Sequence, residues 1–325
     1  MKKALILGIN GQDGSYLAEF LLGKEYQVIG WIPASIPVSL DNIQHILDRI
    51  LITKGDLLNQ DSLEACIEEF RPDEVYNLAA PSAPTASWDM AVQTGDIIGL
   101  GVVRLLEAIR CGYPQAHFYQ ASSSEIFGTT TQTPQNETTP FQPRNPYGMA
   151  KLYAHWATIN YRQRYNLFAV SGILYNHESP RRSIDFVTRK ISHTAARIKA
   201  GLTNELLLGN LDSRRDWGFA GDFVEAMWKM LNIRDPQDFV IGTGGTHSVR
   251  EFLDEAFGYL KLDWHDYVRI DPNNIRPDDN STLQSDPRKA HRVLGWQAKV
   301  PFTDLVRIMV NTDLKQVGLQ PPDER

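Results

Sequence analysis

Four apolar residues near the amino terminus, Ala4-Leu5-Ile6-Leu7, run directly into Gly8-Ile9-Asn10-Gly11-Gln12-Asp13-Gly14. So short an apolar run reads as a buried strand, and glycines spaced by three read as a tight turn into a helix expected to open near Ser15. Such a turn aims backbone N–H groups and the positive end of a helix at one point, which suits a pyrophosphate. A strand–helix turn with no ligand would use the same glycines. Met1-Lys2-Lys3 before the apolar run imitates a signal peptide, but the run stops at Gly8 and polar Asn10, Gln12 and Asp13 follow, so a first strand is the better reading.

The rhythm set by this start continues. Ala4–Leu7, Gln27–Ile32, Ile50–Thr53, Glu74–Leu78, His117–Gln120 and Phe168–Leu174 read as strands alternating with helical patterns. Continuous apolar character within each run predicts a parallel sheet covered on both faces, hence an α/β, doubly wound (Rossmann) sheet. After about Asn176 the pattern loosens into a helix near Phe186–Ala200, a strand at Leu206–Leu208, a helix at Phe223–Leu231 and a strand at Phe239–Ile241. The segment Tyr267–Gln284 is expected to be loop, and Phe302–Val317 a closing helix. We therefore expect residues 1–175 to form a dinucleotide-binding half, segments near 210–245 to return to it, and most of 176–325 to form a smaller interleaved ligand-binding lobe.

A chain of 325 residues without a polar linker should pack both lobes around one cleft. A net charge of -6 argues against a nucleic-acid partner, although a local basic pocket for a phosphorylated ligand is compatible with it. Cys66 and Cys111 lack the paired spacing of a metal site and are expected to be buried thiols in a reducing compartment. No apolar stretch approaches the roughly 20 residues that cross a bilayer, so the expected location is the cytoplasm, with no membrane partner.

Chemistry gathers at two places. Tyr147-Gly148-Met149-Ala150-Lys151 sets a phenol and an ammonium four residues apart, on one face if helical. A nearby ammonium is expected to lower the phenol's pKa, so that Tyr147 exchanges a proton with a hydroxyl near neutral pH. Tyr119-Gln120-Ala121-Ser122-Ser123-Ser124-Glu125 runs off the fifth strand, the sheet edge where ligands sit in open parallel sheets. A simple alcohol oxidation needs only a hydroxyl there. Glu125, two residues after Ser123, adds acid/base capacity at a second carbon, which points to a dehydration. Trp31-Ile32-Pro33-Ala34-Ser35, where the second strand ends, offers neither the acid that marks NAD nor the arginines that mark NADP.

The glycine spacing and the Tyr147/Lys151 pair are similar to those of extended short-chain dehydrogenases/reductases. Longer segments are more specific. Gly11–Leu17, Gln120–Gly128, Arg144-Asn145-Pro146-Tyr147 leading to Lys151, Asn176–Arg182, Phe186–Lys190 and Gly209–Gly218 resemble the GDP-mannose 4,6-dehydratase family, and the likeness runs from end to end. The resemblance implies Ser123, Glu125, Tyr147 and Lys151 as catalytic residues. It implies NADP or NAD, tightly held and recycled, against Gly8, Asn10, Gly11, Gln12, Asp13, Gly14, Asp56, Leu57, Leu78, Ala79, Ala80, Ser82, Tyr147, Lys151, His177 and Arg182. Asp56 also suits the cap of the next helix. Ser82, Ser123, Glu125, Asn176, Val187, Lys190, Arg215 and Arg276 would hold the GDP-sugar, in a homodimer or homotetramer. Arg181 and Arg182 could instead be solvated charges. Three segments depart from the family pattern: 33–36, where family arginines are missing, 81–84, with unexpected prolines, and 278–283. The rival readings are a 4-keto-sugar reductase or epimerase on the same fold, which needs no Glu125, and a non-catalytic NAD(P)-sensing regulator.

Overall fold

A computed structural model describes residues 1–81, 84–272 and 283–322. In chain order the first half contains β1 (Lys3–Leu7), α1 (Gln12–Leu22), β2 (Gln27–Pro33), β3 (Leu51–Gly55), α2 (Gln60–Phe70), β4 (Glu74–Asn77), α3 (Ala91–Thr94), α4 (Gly101–Gly112), β5 (His117–Ser123), α5 (Pro146–Tyr165) and β6 (Ala169–Leu174). The second half continues with β7 (Asn176–Glu178), α6 (Val187–Lys199), β8 (Leu206–Leu208), β9 (Arg214–Arg215), β10 (Trp217–Phe219), α7 (Ala220–Leu231), β11 (Phe239–Ile241), β12 (His247–Ser248), α8 (Val249–Tyr259), β13 (Val268–Ile270), α9 (Arg288–Leu294) and α10 (Phe302–Gln316).

Seven strands form one parallel sheet in the order β3-β2-β1-β4-β5-β6-β11. Side chains alternate across it, so Ala4 and Ile6 of β1 join Leu17 and Leu21 of α1 and Met227 of α7 on one face. Leu5 and Leu7 join Ile67 of α2 and Leu105 of α4 on the other. Both faces are thus covered, which is why β1 and β6 are apolar without alternation. A separate core, containing Ile191, Ala195, Trp217, Phe252, Leu253, Leu305 and Met309, binds α6, α8 and α10 together. The short pair β7–β10 joins the segment leaving β6 to the one entering α7, and the pairs β9–β12 and β8–β13 lie within the second half of the chain.

Several sequence expectations are corrected. Helix α1 opens at Gln12 rather than near Ser15, because Gly11 supplies the first helical acceptor, to the Ser15 N–H at 3.1 Å. Strand β5 continues past Gln120 to Ser123, held by β6 through pairs such as Ser123 with Leu174. Strand β13 interrupts the expected loop, paired with β8. Cys66 is buried, but Cys111 is exposed beside Arg110 on α4, a helix whose other side packs inward. Among the described residues no helix is long and apolar enough to cross a membrane.

Candidate active site

The glycines at the start of α1 are demanded by close approach. Gly8 has φ +81°, and a Cβ there would lie 3.0 Å from the backbone of Ala79. A Cβ on Gly14 would lie 2.3 Å from the Gly8 carbonyl oxygen, so α1 can abut the strand only without a side chain at that position. Leu78 and Ala79, after β4, form the neighbouring wall. Around this turn the side chains are tethers. Asn10 donates to the Ser39 carbonyl at 3.2 Å and its own carbonyl accepts from Asn42 at 3.0 Å. Gln12 donates to the His177 carbonyl at 3.1 Å and accepts from the Ser179 hydroxyl at 2.8 Å. Asp13 bonds the His177 ring at 2.8 Å. Asp56 serves a local turn, accepting from Leu58 N–H at 2.9 Å, and the cap of α2 is Asn59.

From this turn a cleft of about 300 Å³ runs between the sheet edge and the second core. It gathers Asp13, Leu78, Ala80, Ser123, Glu125, Tyr147, Lys151, Asn176, His177, Arg182, Val187, Lys190 and Arg215. Ser82 and Arg276, and most of the departing segment 278–283, lie outside the described residues. Leu57 is buried beside Gly101 of α4, and neither it nor Asp56 lines the cleft.

Strand β5 delivers Ser123 to the sheet edge, and a single 3₁₀ turn (Ser124–Ile126) follows, capped by Ser123 Oγ accepting the Glu125 N–H at 3.2 Å. Helix α5 brings Tyr147 and Lys151 to the same place, and both are buried. Burial pushes the Tyr147 phenol up to about 12, against the opposing pull of a Ser123 hydrogen bond and the Arg182 charge. This corrects the expectation that Lys151 lowers it. The Lys151 Nζ donates to the Ala121 carbonyl at 2.8 Å and sits 5.6 Å from the centroid of the Tyr147 ring, beside the ring's face. Burial brings Lys151 itself down to about 8, while the Asp13 charge resists.

On the facing wall, Arg182 lies over the Phe186 ring at 3.5 Å and its Nε is 3.3 Å from Glu178. Arg181 points away: it bonds Glu19 at 2.5 Å and Ser15 at 3.1 Å and covers the Tyr16 ring, so it is paired rather than solvated. Three contributors escaped sequence reasoning. Arg189 donates to both oxygens of buried Asp313 and, at 3.0 Å, to the Pro180 carbonyl, fixing α6 and the segment that holds Arg182. The buried Asp216 carboxylate accepts from Thr243, Gly244 and Ser285, which anchors the chain beside Arg215. Asn145 bonds both Glu125 and α5. The stretches around them were legible, but their partners are distant in sequence.

The chain matches the model of a family described as GDP-mannose 4,6 dehydratase over residues 5–309. GDP-mannose 4,6 dehydratase 2 of Arabidopsis thaliana is 51% identical over 326 residues, covering 97% of this chain and 87% of the relative. The structure is similar to a UDP-glucose 4-epimerase of Thermus thermophilus solved with NAD, at 26% identity and a TM-score of 0.82, covering 96% of this chain and 98% of the other. It is also similar to RMD from Pseudomonas aeruginosa solved with NADPH, at 21% identity and a TM-score of 0.83, covering 97% and 100%. The fold therefore serves more than one reaction and more than one nicotinamide cofactor. The family match over residues 5–309 and the identity to curated relatives show that the chain belongs to the GDP-mannose 4,6-dehydratase family.

Proposed function

We propose that this chain dehydrates GDP-mannose to GDP-4-dehydro-6-deoxy-mannose by oxidising C4, eliminating water across C5 and C6, and reducing C6. One observation carries the reading: Glu125 shares a cleft with Ser123, Tyr147 and Lys151. Oxidation or epimerisation at C4 has no use for that carboxylate. The cradle of Gly8 and Gly14, where a Cβ would strike backbone, fits a dinucleotide pyrophosphate. Arg182 fits the cofactor, and Lys190 and Arg215 fit a diphosphate. The sheet-bearing part of the chain is read as the cofactor lobe and the second core as the sugar-nucleotide lobe.

When bound, a dinucleotide would be held by the turn of Gly8 and Gly14, by Lys151 and by Arg182, and would supply hydride acceptance and donation to the sugar. Tyr147, in the minor ionised form that its raised pKa leaves near neutral pH, takes the C4 hydroxyl proton, with Lys151 holding the nicotinamide ribose and Ser123 bonding the hydroxyl. The C4 ketone acidifies C5. Glu125 then removes the C5 proton and gives a proton to the C6 hydroxyl as it leaves, with Ser123 assisting. With Pro33-Ala34 in place of arginines, a charged contact worth about 1.5–3 kcal/mol to a 2′-phosphate is missing, which favours NAD. Met149, Tyr153 and Trp156, exposed along one face of α5, support pairing with a second copy. The free thiols support a reducing compartment, the cytoplasm.

Purified protein incubated with GDP-mannose and no reductant is expected to give a product lighter by one water. Stoichiometric NAD(P)H consumption would overturn the reading. Glu125→Gln should keep hydride transfer and lose water release by about 10²–10⁴-fold, and Tyr147→Phe should lose both. A Glu125→Gln enzyme that dehydrates at the wild-type rate returns the case to an epimerase or reductase. Denaturing the same preparation should release NAD, and its native mass by light scattering should be that of two or more chains. Release of NADP alone, or a monomeric mass, sinks the corresponding part.

A further inference from the structure

We propose that Asn145 is the positioning residue for Glu125, and that it confines the travelling proton to one carboxylate oxygen. This rests on the dehydratase reading. Asn145 precedes Pro146, has the extended backbone (φ -144°, ψ 162°) that a following proline imposes, and caps α5. Its Oδ1 accepts the Gly148 N–H at 2.7 Å. A backbone N–H can only donate, so the amide atom facing it must be the oxygen, and the other side of the amide is the NH₂. That NH₂ donates to Glu125 Oε2 at 2.9 Å. Asn145 is 8% exposed, so water competes poorly for either bond.

Two consequences follow from this one amide. The amide donates but holds no proton that it can surrender, so Oε2 stays an acceptor and the proton taken from C5 resides on Oε1. The step balances on that basis. The C5–H bond breaks, its electron pair passes into the enolate of the C4 ketone, and Oε1 becomes O–H. The enolate then forms the C5=C6 bond, the C6–O bond breaks, and Oε1–H protonates the departing hydroxyl as water, restoring the carboxylate. Finally, the amide ties the turn of Glu125 to the start of α5. The Glu125 carbonyl oxygen lies 2.7 Å from where a Cβ on Gly148 would stand, so the turn carrying Glu125 rests on the first turn of α5, which carries Tyr147.

Serine caps helices as well as asparagine does but is too short to reach Glu125, so Asn145→Ser separates the two roles. Wild type, Asn145→Ser and Asn145→Asp would be mixed with GDP-mannose in single turnover. Absorbance of reduced nicotinamide reads C4 oxidation, mass spectrometry reads water loss, and deuterium incorporation at C5 reads proton removal. Asn145→Ser is expected to keep its denaturation midpoint and its C4 oxidation rate while water loss and C5 exchange slow about 10- to 100-fold, below the ~10²–10⁴-fold ceiling for an acid/base group. Asn145→Asp also caps well, but sets a second carboxylate against Glu125, and should move the acid limb of the pH–rate profile upward. Elimination at the wild-type rate in Asn145→Ser, equal loss of oxidation and elimination, or an unmoved acid limb in Asn145→Asp overturns the assignment. Failure of the dehydratase reading looks different, because wild type itself would then lose no water.

Discussion

His177 offers two ring nitrogens to two groups that only accept: Nδ1 to the Tyr175 carbonyl at 2.7 Å and Nε2 to Asp13 at 2.8 Å. Both bonds together require a doubly protonated ring. Burial favours the neutral imidazole, yet the Asp13 charge and hydrogen bond outweigh it, so the His177 pKa is raised above 6.5. Burial likewise opposes the Asp13 carboxylate, and His177, Gln12 and Arg182 reverse it, lowering the pKa from 3.8 to about 2. The signs define a window. The histidine's share of stability is complete below 6.5 and fades as pH rises through its higher folded value, while the aspartate's share is complete above 3.8 and fades as pH falls through about 2. The gap in urea midpoint between wild type and His177→Gln should therefore be widest between those limits and narrow on the alkaline side. An imidazole titrating below 6.5 by NMR would refute this. Such residues were half legible. Tyr147, Lys151, Ser123 and Glu125 announce themselves within short segments, whereas His177 meets Asp13 across 164 positions and Arg189 meets Asp313 across 124, pairings that no local pattern records.

Elements were legible where burial is two-sided and obscured where polar residues serve a strand. Largely apolar runs gave β1, β2 and β6 away, because a parallel sheet covered on both faces buries both sides of each strand. The end of β5 hid behind Ala121-Ser122-Ser123, whose serines imitate a loop although β6 holds them in the sheet. The junction of β1 with α1 makes a sharper claim, that its glycines are unequal. A Cβ at Gly14 would meet the Gly8 oxygen at 2.3 Å and the Ile9 Cα at 2.6 Å, whereas one at Gly11 would meet the same oxygen at 3.3 Å. Backbone cannot swing aside as a side chain does. Gly14→Ala should cost at least the ~1–3 kcal/mol typical of overpacking, and Gly11→Ala distinctly less, both read by chemical denaturation. Equal costs would mean that α1 is free to lift from the strand.

At the scale of the molecule, what the sequence left unread is how the walls of the cleft are stitched together. Gln12 and Asp13 belong to the turn proposed to take a pyrophosphate, and their side chains are bonded to Ser179 and His177 on the opposite wall. Whatever steadies one wall therefore steadies the other. Cofactor dissociation, followed by stopped-flow fluorescence, should slow by roughly 5- to 150-fold, the usual span of coupling between sites, when GDP is present. Gln12→Ala should shrink that factor, and a dissociation rate indifferent to GDP would show the walls to be independent. Thermodynamic reciprocity then requires that a resident dinucleotide tighten the sugar nucleotide by the same factor with which the sugar nucleotide retains it. For a cycle that lends out a hydride and takes it back within one turnover, that symmetry closes the door during the interval when the loan is outstanding.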